Sequence, residues 1–272
     1  MKIAAIQMVS GPAVAKNLLR ARALLAEAAA QGAVLAALPE YFCLMGFEDT
    51  DKLDAAEAPG DINAATAPIQ KMLADAAREL GLWIIGGTLP LKTATPGRVR
   101  NACCVFAPDG SQVGRYDKIH LFRYDNGREK YDEGRVLEAG DTPMAVQVGP
   151  DRNLRVGLSV CYDLRFPELF RSVPAADLLS VPSAFTYTTG EAHWELLLRA
   201  RAVENQAYVI APAQGGRHEN GRRTWGHTMI VDPWGEVLAC LPEGEGVVSA
   251  VIDPARLAQV RQQLPALRHR VL

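Results

Sequence analysis

Apolar positions recur along this chain in two rhythms, and their order predicts the architecture. Lys2 to Val9 is a run of strand length; Val14, Leu18, Ala21, Leu25 and Ala28 then return at helical spacing in an Ala-rich segment that stops at Gly32. Val34 to Leu38 is a continuous apolar strand ended by Pro39. Ile69, Met72, Leu73, Ala76 and Leu80 form a second amphipathic helix closed by Gly81, and Leu82 to Thr88 is the strand after it. Asn101 to Ala107 and Ser111 to Tyr116 fold back about Pro108-Asp109-Gly110, and Trp225 to Val231 and Glu236 to Cys240 about Asp232-Pro233-Trp234-Gly235. Leu154, Val156, Leu158 and Val160 alternate with polar or small residues in a strand from Asn153 to Val160. Leu178 to Val181, Tyr208 to Pro212 and Val247 to Ile252 complete the strands. Arg123 to Asp141 and Thr186 to Glu191 read as polar loops and His218 to Arg223 (HENGRR) as a polar turn, while Trp194, Leu197, Leu198, Arg201 and Ala202 mark a helix and another runs from Pro254 to about Leu264. Alternating strands and helices with hairpins mixed in predict an α/β layered fold with mixed sheets. No linker or repeat interrupts the pattern, so residues 1–272 are expected to form one domain.

Composition narrows the function. With 49% hydrophobic and 22% charged residues the chain can bury a real core. A net charge of -2 without a basic run argues against nucleic acid or anionic lipid as partner, and no stretch approaches a membrane span. The opening MKIAAIQMVS is a first strand rather than a signal peptide. Cys43, Cys103, Cys104, Cys161 and Cys240 are odd in number and contain no CxxC pair, which fits reduced thiols in the cytoplasm. Histidines and cysteines lack metal-ligand spacing, so no metal is expected.

Three strand ends carry chemistry. The strand to Val160 stops abruptly at Cys161, and Pro167 with Glu168 can open a helix shortly after. A thiol at such a turn lies beyond the strand's carboxyl end, where ligands of α/β sheets bind and where N–H dipoles and cations favour thiolate. A buried structural cysteine is the competing account. A serine nucleophile at Ser159 lacks the second glycine of the nucleophile elbow. Glu40, just after Pro39 and beside Tyr41 and Phe42, is a carboxylate whose pKa partial desolvation would raise toward that of a base; a helix-start residue fits it as well. Lys118 sits among apolar residues at the end of the first hairpin, a costly place for an ammonium unless something uses it or it snorkels outward. Together they supply a nucleophile, a base and a positive group for the charge that develops on an attacked carbonyl.

The segments LPEYF around Glu40, YDKIHLF around Lys118 and GLSVCYDLRFPELF around Cys161 resemble the nitrilase superfamily of carbon–nitrogen hydrolases, as do PSAFTYTTGEAHWELLLRARAVENQAYVIAPAQ and WGHTMIVDPWGEVLA. The resemblance implies a four-layer αββα sandwich, a homodimer, no cofactor, and a Glu–Lys–Cys triad at Glu40, Lys118 and Cys161. It also implies a second active-site glutamate at Glu133, in KYDEGRVLEAG, which would position Lys118 or the substrate amide. Cys161-Tyr162-Asp163-Leu164-Arg165 is similar to the Nit branch, which holds deaminated-glutathione amidase and ω-amidase, rather than to the Cys-Trp-Glu of nitrilases; PSAF, AHWELLLRARA and APAQGGRH favour the former amidase. Ser172 to Leu179, with Pro174, is shorter than is usual there.

The expected activity is therefore hydrolysis of a small carboxylate-bearing amide through a thioester, with release of ammonia. ω-Amidase, N-carbamoyl amidohydrolase, nitrilase and a silent binding protein are the rivals, and no Gly-rich fingerprint supports a nucleotide binder. Tyr41, Tyr162, Phe185 and Thr186 are expected to contact substrate. Thr188, Thr189, Arg165 and Arg217 would hold its polar and carboxylate groups, although a salt bridge to Glu168 would serve Arg165 equally.

Overall fold

The computed structural model of the protein describes residues 1–173 and 175–271. The amino-terminal half builds β1 (Lys2–Gln7), α1 (Val14–Ala30), β2 (Leu35–Ala37), α2 (Asp51–Asp54), α3 (Pro68–Leu80), β3 (Trp83–Ile85), β4 (Leu89–Lys92), β5 (Val99–Phe106) and β6 (Gln112–Asp117). A small hairpin, β7 (Arg123–Asp125) and β8 (Lys130–Asp132), leads to β9 (Met144–Val148), β10 (Leu154–Leu158), α4 (Pro167–Ser172) and β11 (Leu178–Ser180). Then come α5 (Tyr187–Asn205), β12 (Tyr208–Ala211), β13 (Gly215–Arg217), β14 (Arg223–Trp225), β15 (Thr228–Val231), β16 (Val237–Leu241), β17 (Gly246–Val251) and α6 (Pro254–Gln263).

Seven strands form the first sheet in the order β17-β1-β2-β3-β5-β4, with β6 also paired to β5; six form the second, β16-β15-β12-β11-β10-β9. Both are mixed: β1, β2 and β3 run parallel, as do β10, β11 and β12, while their flanks are antiparallel. Alternation along each strand decides the layers. Ile3, Ala5, Leu35, Ala37 and Val105 join one core with Val156, Leu158 and Val209 of the second sheet. Their neighbours Ala4, Ile6, Ala36 and Ile84 face the other way, onto Leu24, Leu25 and Ala28 of α1 and Leu73 and Ala77 of α3. On the far side α5 packs on β12 and β15 through the buried Trp194, Leu198 and Ala202. The result is the expected αββα sandwich. Among the described residues no helix is long and apolar enough to cross a membrane.

Four boundaries differ from the sequence reading. The strand expected over Leu82 to Thr88 breaks at Gly86-Gly87; Gly87 has φ +55°, and a Cβ there would lie 2.2 Å from the carbonyl oxygen of Pro39. Thr186 to Glu191 is not a loop. Thr186 caps α5, its hydroxyl accepting the Thr189 N–H, so the helix begins about two turns earlier than its apolar residues suggest. Trp225 to Val231 is interrupted at Gly226 and His227, both with positive φ. The polar stretch from Arg123 contains the β7–β8 hairpin, because Asp125 and Asn126 side chains close its turn. Pro174, in the shortened segment, lies outside the described residues.

Candidate active site

Glu40 leaves β2 two residues after Leu38 and is only 1% exposed. Its loop is held tightly. Gln214 Nε2 donates to the Glu40 carbonyl at 3.1 Å, and Tyr41, with φ 57°, donates its N–H to Thr88 Oγ1 at 2.9 Å. The missing Cβ of Gly87 is what lets the bent β3–β4 segment pass this close. The carboxylate accepts from Asn101 Nδ2 and Lys118 Nζ on Oε1, both at 2.9 Å, and from the Ala184 N–H on Oε2 at 3.0 Å. Beyond the effect of burial, its negative charge also bears on the thiol of Cys161, raising that group's pKa.

Lys118 follows β6, its N–H donating to the Asn101 carbonyl at 3.0 Å. It does not snorkel: its side chain is buried between two carboxylates, reaching Glu40 at 2.9 Å and Glu133 at 2.8 Å. Glu133, in the turn after β8, also accepts from the Tyr41 hydroxyl and the Phe122 N–H, both at 2.7 Å.

Cys161 ends the approach from β10 and is held at φ 52°, left-handed backbone that a side chain adopts at a cost of about 1–3 kcal/mol. The buried Asp163 fixes the turn. One of its oxygens accepts the Tyr116 hydroxyl and the Val160 N–H, both at 2.8 Å; the other accepts the His120 N–H at 3.0 Å and faces His120 Nδ1 at 2.7 Å. Tyr116 and His120 flank Lys118 by two residues on either side, so one carboxylate ties the strand end bearing the lysine to the turn bearing the cysteine.

The charges in this cluster sort themselves. Burial raises the Glu40 carboxyl above its ordinary pKa; Lys118 opposes this and the nearby charge of Glu133 adds to it. Burial acts on Glu133 too, but there Lys118 and the donated hydrogen bonds prevail and its pKa falls. Two carboxylates sharing one ammonium are thereby pushed apart, one toward a base and one toward a standing anion. Lys118 is held well above its usual value, the two glutamates overcoming burial. Cys161 corrects an expectation: the thiol is pushed well up, by burial first and then by Glu40, so the turn does not favour a resting thiolate.

Glu133→Gln keeps the shape and most acceptor positions but removes the anion that fixes Lys118. We expect kcat to fall by about 10–100-fold, the worth of a hydrogen bond to a charged group, with melting lowered by only a few degrees. Circular dichroism melts beside steady-state rates check this; a collapsed melt would make Glu133 a structural residue.

Phe122, Cys161, Tyr162, Arg165, Phe185 and Thr186 line a cleft of about 220 Å³, together with Ala184 and Thr189. Tyr162, Arg165, Phe185, Thr186 and Thr189, five of the eight expected substrate contacts, are thus brought to the thiol. Tyr41 lines a neighbouring cleft instead, and its hydroxyl is committed to Glu133. Arg165 stands over the Tyr162 and Phe185 rings and contacts His193 Nδ1 at 3.2 Å, with no salt bridge to Glu168 among the described residues. Thr188 is bonded to Glu129, and Arg217 is exposed and outside this cleft. Asn101, Ala184 and Asp163 escaped the sequence reading as site residues. Asn101 looked like the start of an apolar run and Ala184 acts through its backbone. Asp163 alone carried a local signal, three residues after the end of a strand, where a carboxylate can cap a turn.

The carbon–nitrogen hydrolase family model matches residues 2–262. Deaminated glutathione amidase of Synechocystis sp. is 45% identical over 98% of this chain and 97% of its own length. Omega-amidase NIT2 of Xenopus tropicalis is 38% identical over 99% of this chain and 94% of its own length. The crystal structure of Saccharomyces cerevisiae Nit3, a member of branch 10 of the nitrilase superfamily, superposes with a TM-score of 0.86 at 28% identity, covering 100% of this chain and 97% of that one. Match, identity and fold agree: the chain belongs to the carbon–nitrogen hydrolase family of the nitrilase superfamily.

Proposed function

We propose that the protein is an amidase that cleaves a small carboxylate-bearing amide through a thioester on Cys161. One observation carries this reading: a single buried carboxylate, Glu40, is bonded to Lys118 and acts on the Cys161 thiol, which lines an open cleft. Glu40 takes the proton as sulfur attacks the carbonyl carbon, so no free thiolate is needed. The oxyanion is met by Lys118 and a backbone N–H of the Cys161 turn. Lys118 Nζ meets three carboxylate oxygens, Glu40 Oε1 and both oxygens of Glu133, so it meets the oxyanion by giving up one of its two bonds to Glu133. Protonated Glu40 then passes its proton to the departing nitrogen, the C–N bond breaks and a thioester remains. Water, deprotonated by Glu40, attacks the thioester; the acid leaves and the thiol regains its proton. Glu133 stays ionised and holds Lys118.

The substrate reading is a deaminated-glutathione-like amide, supported by the relative at 45% identity. Arg165, between two aromatic rings beside Cys161, is suited to grip the α-keto acid carboxylate. α-Ketoglutaramate is the alternative, favoured by the omega-amidase relative. From deaminated glutathione the nitrogen leaves as an amino group of the remaining peptide; from α-ketoglutaramate it leaves as ammonia. Measuring keto-acid release from both amides, with carbamoyl amino acids and nitriles as controls, decides among them. A preference for α-ketoglutaramate overturns the subgroup, and nitrile hydrolysis with neither amide accepted overturns the amidase reading. A cytoplasmic homodimer formed by one-domain subunits completes the proposal. It is supported by five unpaired cysteines and by the exposed apolar side chains Leu196, Val203 and Trp234.

A further inference from the structure

A second cleft, of about 620 Å³, adjoins the first and has no part in the mechanism above. The two share a wall. Tyr131 of the second cleft packs on Phe122 of the first, their rings 5.7 Å apart, and Tyr41 and Met45 of the second cluster with Ala184 of the first. Its lining is more polar than that of the cysteine cleft, and three cations reach it. Two are committed: Lys52 to Asp49 at 2.9 Å and Lys130 to Asp125 at 3.6 Å. The third, Arg222, is half-buried and has no carboxylate within ion-pair distance among the described residues. Its guanidinium lies 5.2 Å over the Tyr131 ring, and Nη1 touches Met45 Sδ at 3.5 Å. A guanidinium stacked on an aromatic face, with no carboxylate on its fork, is a preorganised receptor for a carboxylate.

We propose that this second cleft binds the leaving-group side of the substrate, with Arg222 receiving a terminal carboxylate carried by the departing amine. The inference rests on the proposed amidase reading and adds the class of leaving group, a short peptide ending in a free carboxylate. In deaminated glutathione the departing amine is a dipeptide. Two extended residues span about 7 Å, comparable with the 5.7 Å between the Tyr131 and Phe122 rings of the shared wall. α-Ketoglutaramate loses only ammonia and has nothing to place there. The second cleft therefore selects between the two amides, whereas the first serves the acyl group common to both.

The test is Arg222→Gln, a residue with no bond to Glu40, Lys118, Glu133 or Cys161, assayed in the full-length enzyme with both amides. For deaminated glutathione kcat/KM is expected to fall by about 10–100-fold, mostly through KM, as the loss of one hydrogen-bonded charge predicts. For α-ketoglutaramate it should not change. Deaminated glutathione with its terminal carboxylate capped as the amide should be equally poor with both enzymes. An equal loss on both amides, or a capped substrate that still distinguishes the variant, overturns the subsite while leaving the amidase reading intact. Should wild type hydrolyse neither amide, that reading fails by itself. The subsite is then judged by calorimetry with cysteinylglycine, which wild type should bind more tightly than Arg222→Gln; equal or absent binding overturns it.

Discussion

Cys161→Ala is expected to abolish amide hydrolysis, leaving no acyl-enzyme detectable by mass spectrometry and a folded protein by circular dichroism. No other thiol can replace it. Cys103 and Cys104 lie inside β5 with thiols pushed up by burial, that of Cys104 to about 12, and Cys240 is exposed on β16. Cys43 is buried and donates toward the Thr88 carbonyl, with no contact to Glu40 or Lys118. In the wild type, acylation should fade as pH falls through the raised pKa of Glu40, because only the unprotonated carboxylate can accept the thiol proton. Retained turnover in Cys161→Ala would sink the thioester mechanism.

Lys118→Met is expected to lower kcat by at least about 10²–10³-fold, the usual effect of deleting an oxyanion donor. The residue's place in the sequence suggests a loss of rate with unchanged melting, but its surroundings predict otherwise. Its ammonium is a buried cation shared by the buried Glu40 and the half-buried Glu133, and breaking such a pair costs about 3–5 kcal/mol. Melting should therefore drop as well. The two effects can be separated. Adding Glu133→Gln to Lys118→Met removes one stranded anion and should recover much of the melting temperature while turnover stays lost. Recovery of both together would mean that Lys118 serves the fold rather than the transition state. A rise in KM alone would assign it to substrate binding.

The sequence made Glu40, Lys118 and Cys161 legible as candidates because each sits where an apolar run ends, a local signal. Glu133 was legible only through resemblance: nothing in a polar stretch tells which of its carboxylates will turn inward. What holds the reacting groups was hidden for a different reason. Asn101 and Ala184 meet Glu40 across 61 and 144 residues of chain, and Asp163 meets Tyr116 across 47, distances over which periodicity carries no information. Helix α5 was misplaced at its start because its first two turns are Thr- and Gly-containing, and only the cap formed by Thr186 reveals them. Arg222 stands in HENGRR, read as a polar turn; its lack of a carboxylate partner is a property of three dimensions.

Strand β1 lies between β2 and β17 in the first sheet, pairing with the latter from Lys2↔Val251 to Gln7↔Gly246. During synthesis, then, the earliest strand waits for almost the latest. Until residues 246–251 leave the ribosome, one edge of β1 is open, with its N–H and C=O groups free to recruit a strand from another chain. Pairing over so long a loop also slows folding, since its closure entropy must be met before the contacts that reward it. Glu40 and Cys161 stand on opposite sheets of this sandwich, so a nascent chain holds both before it can bring them together. A nonsense mutation between α5 and β17 would leave Glu40, Lys118 and Cys161 in place and still be read by the cell as an aggregation-prone fragment rather than as a weakened enzyme.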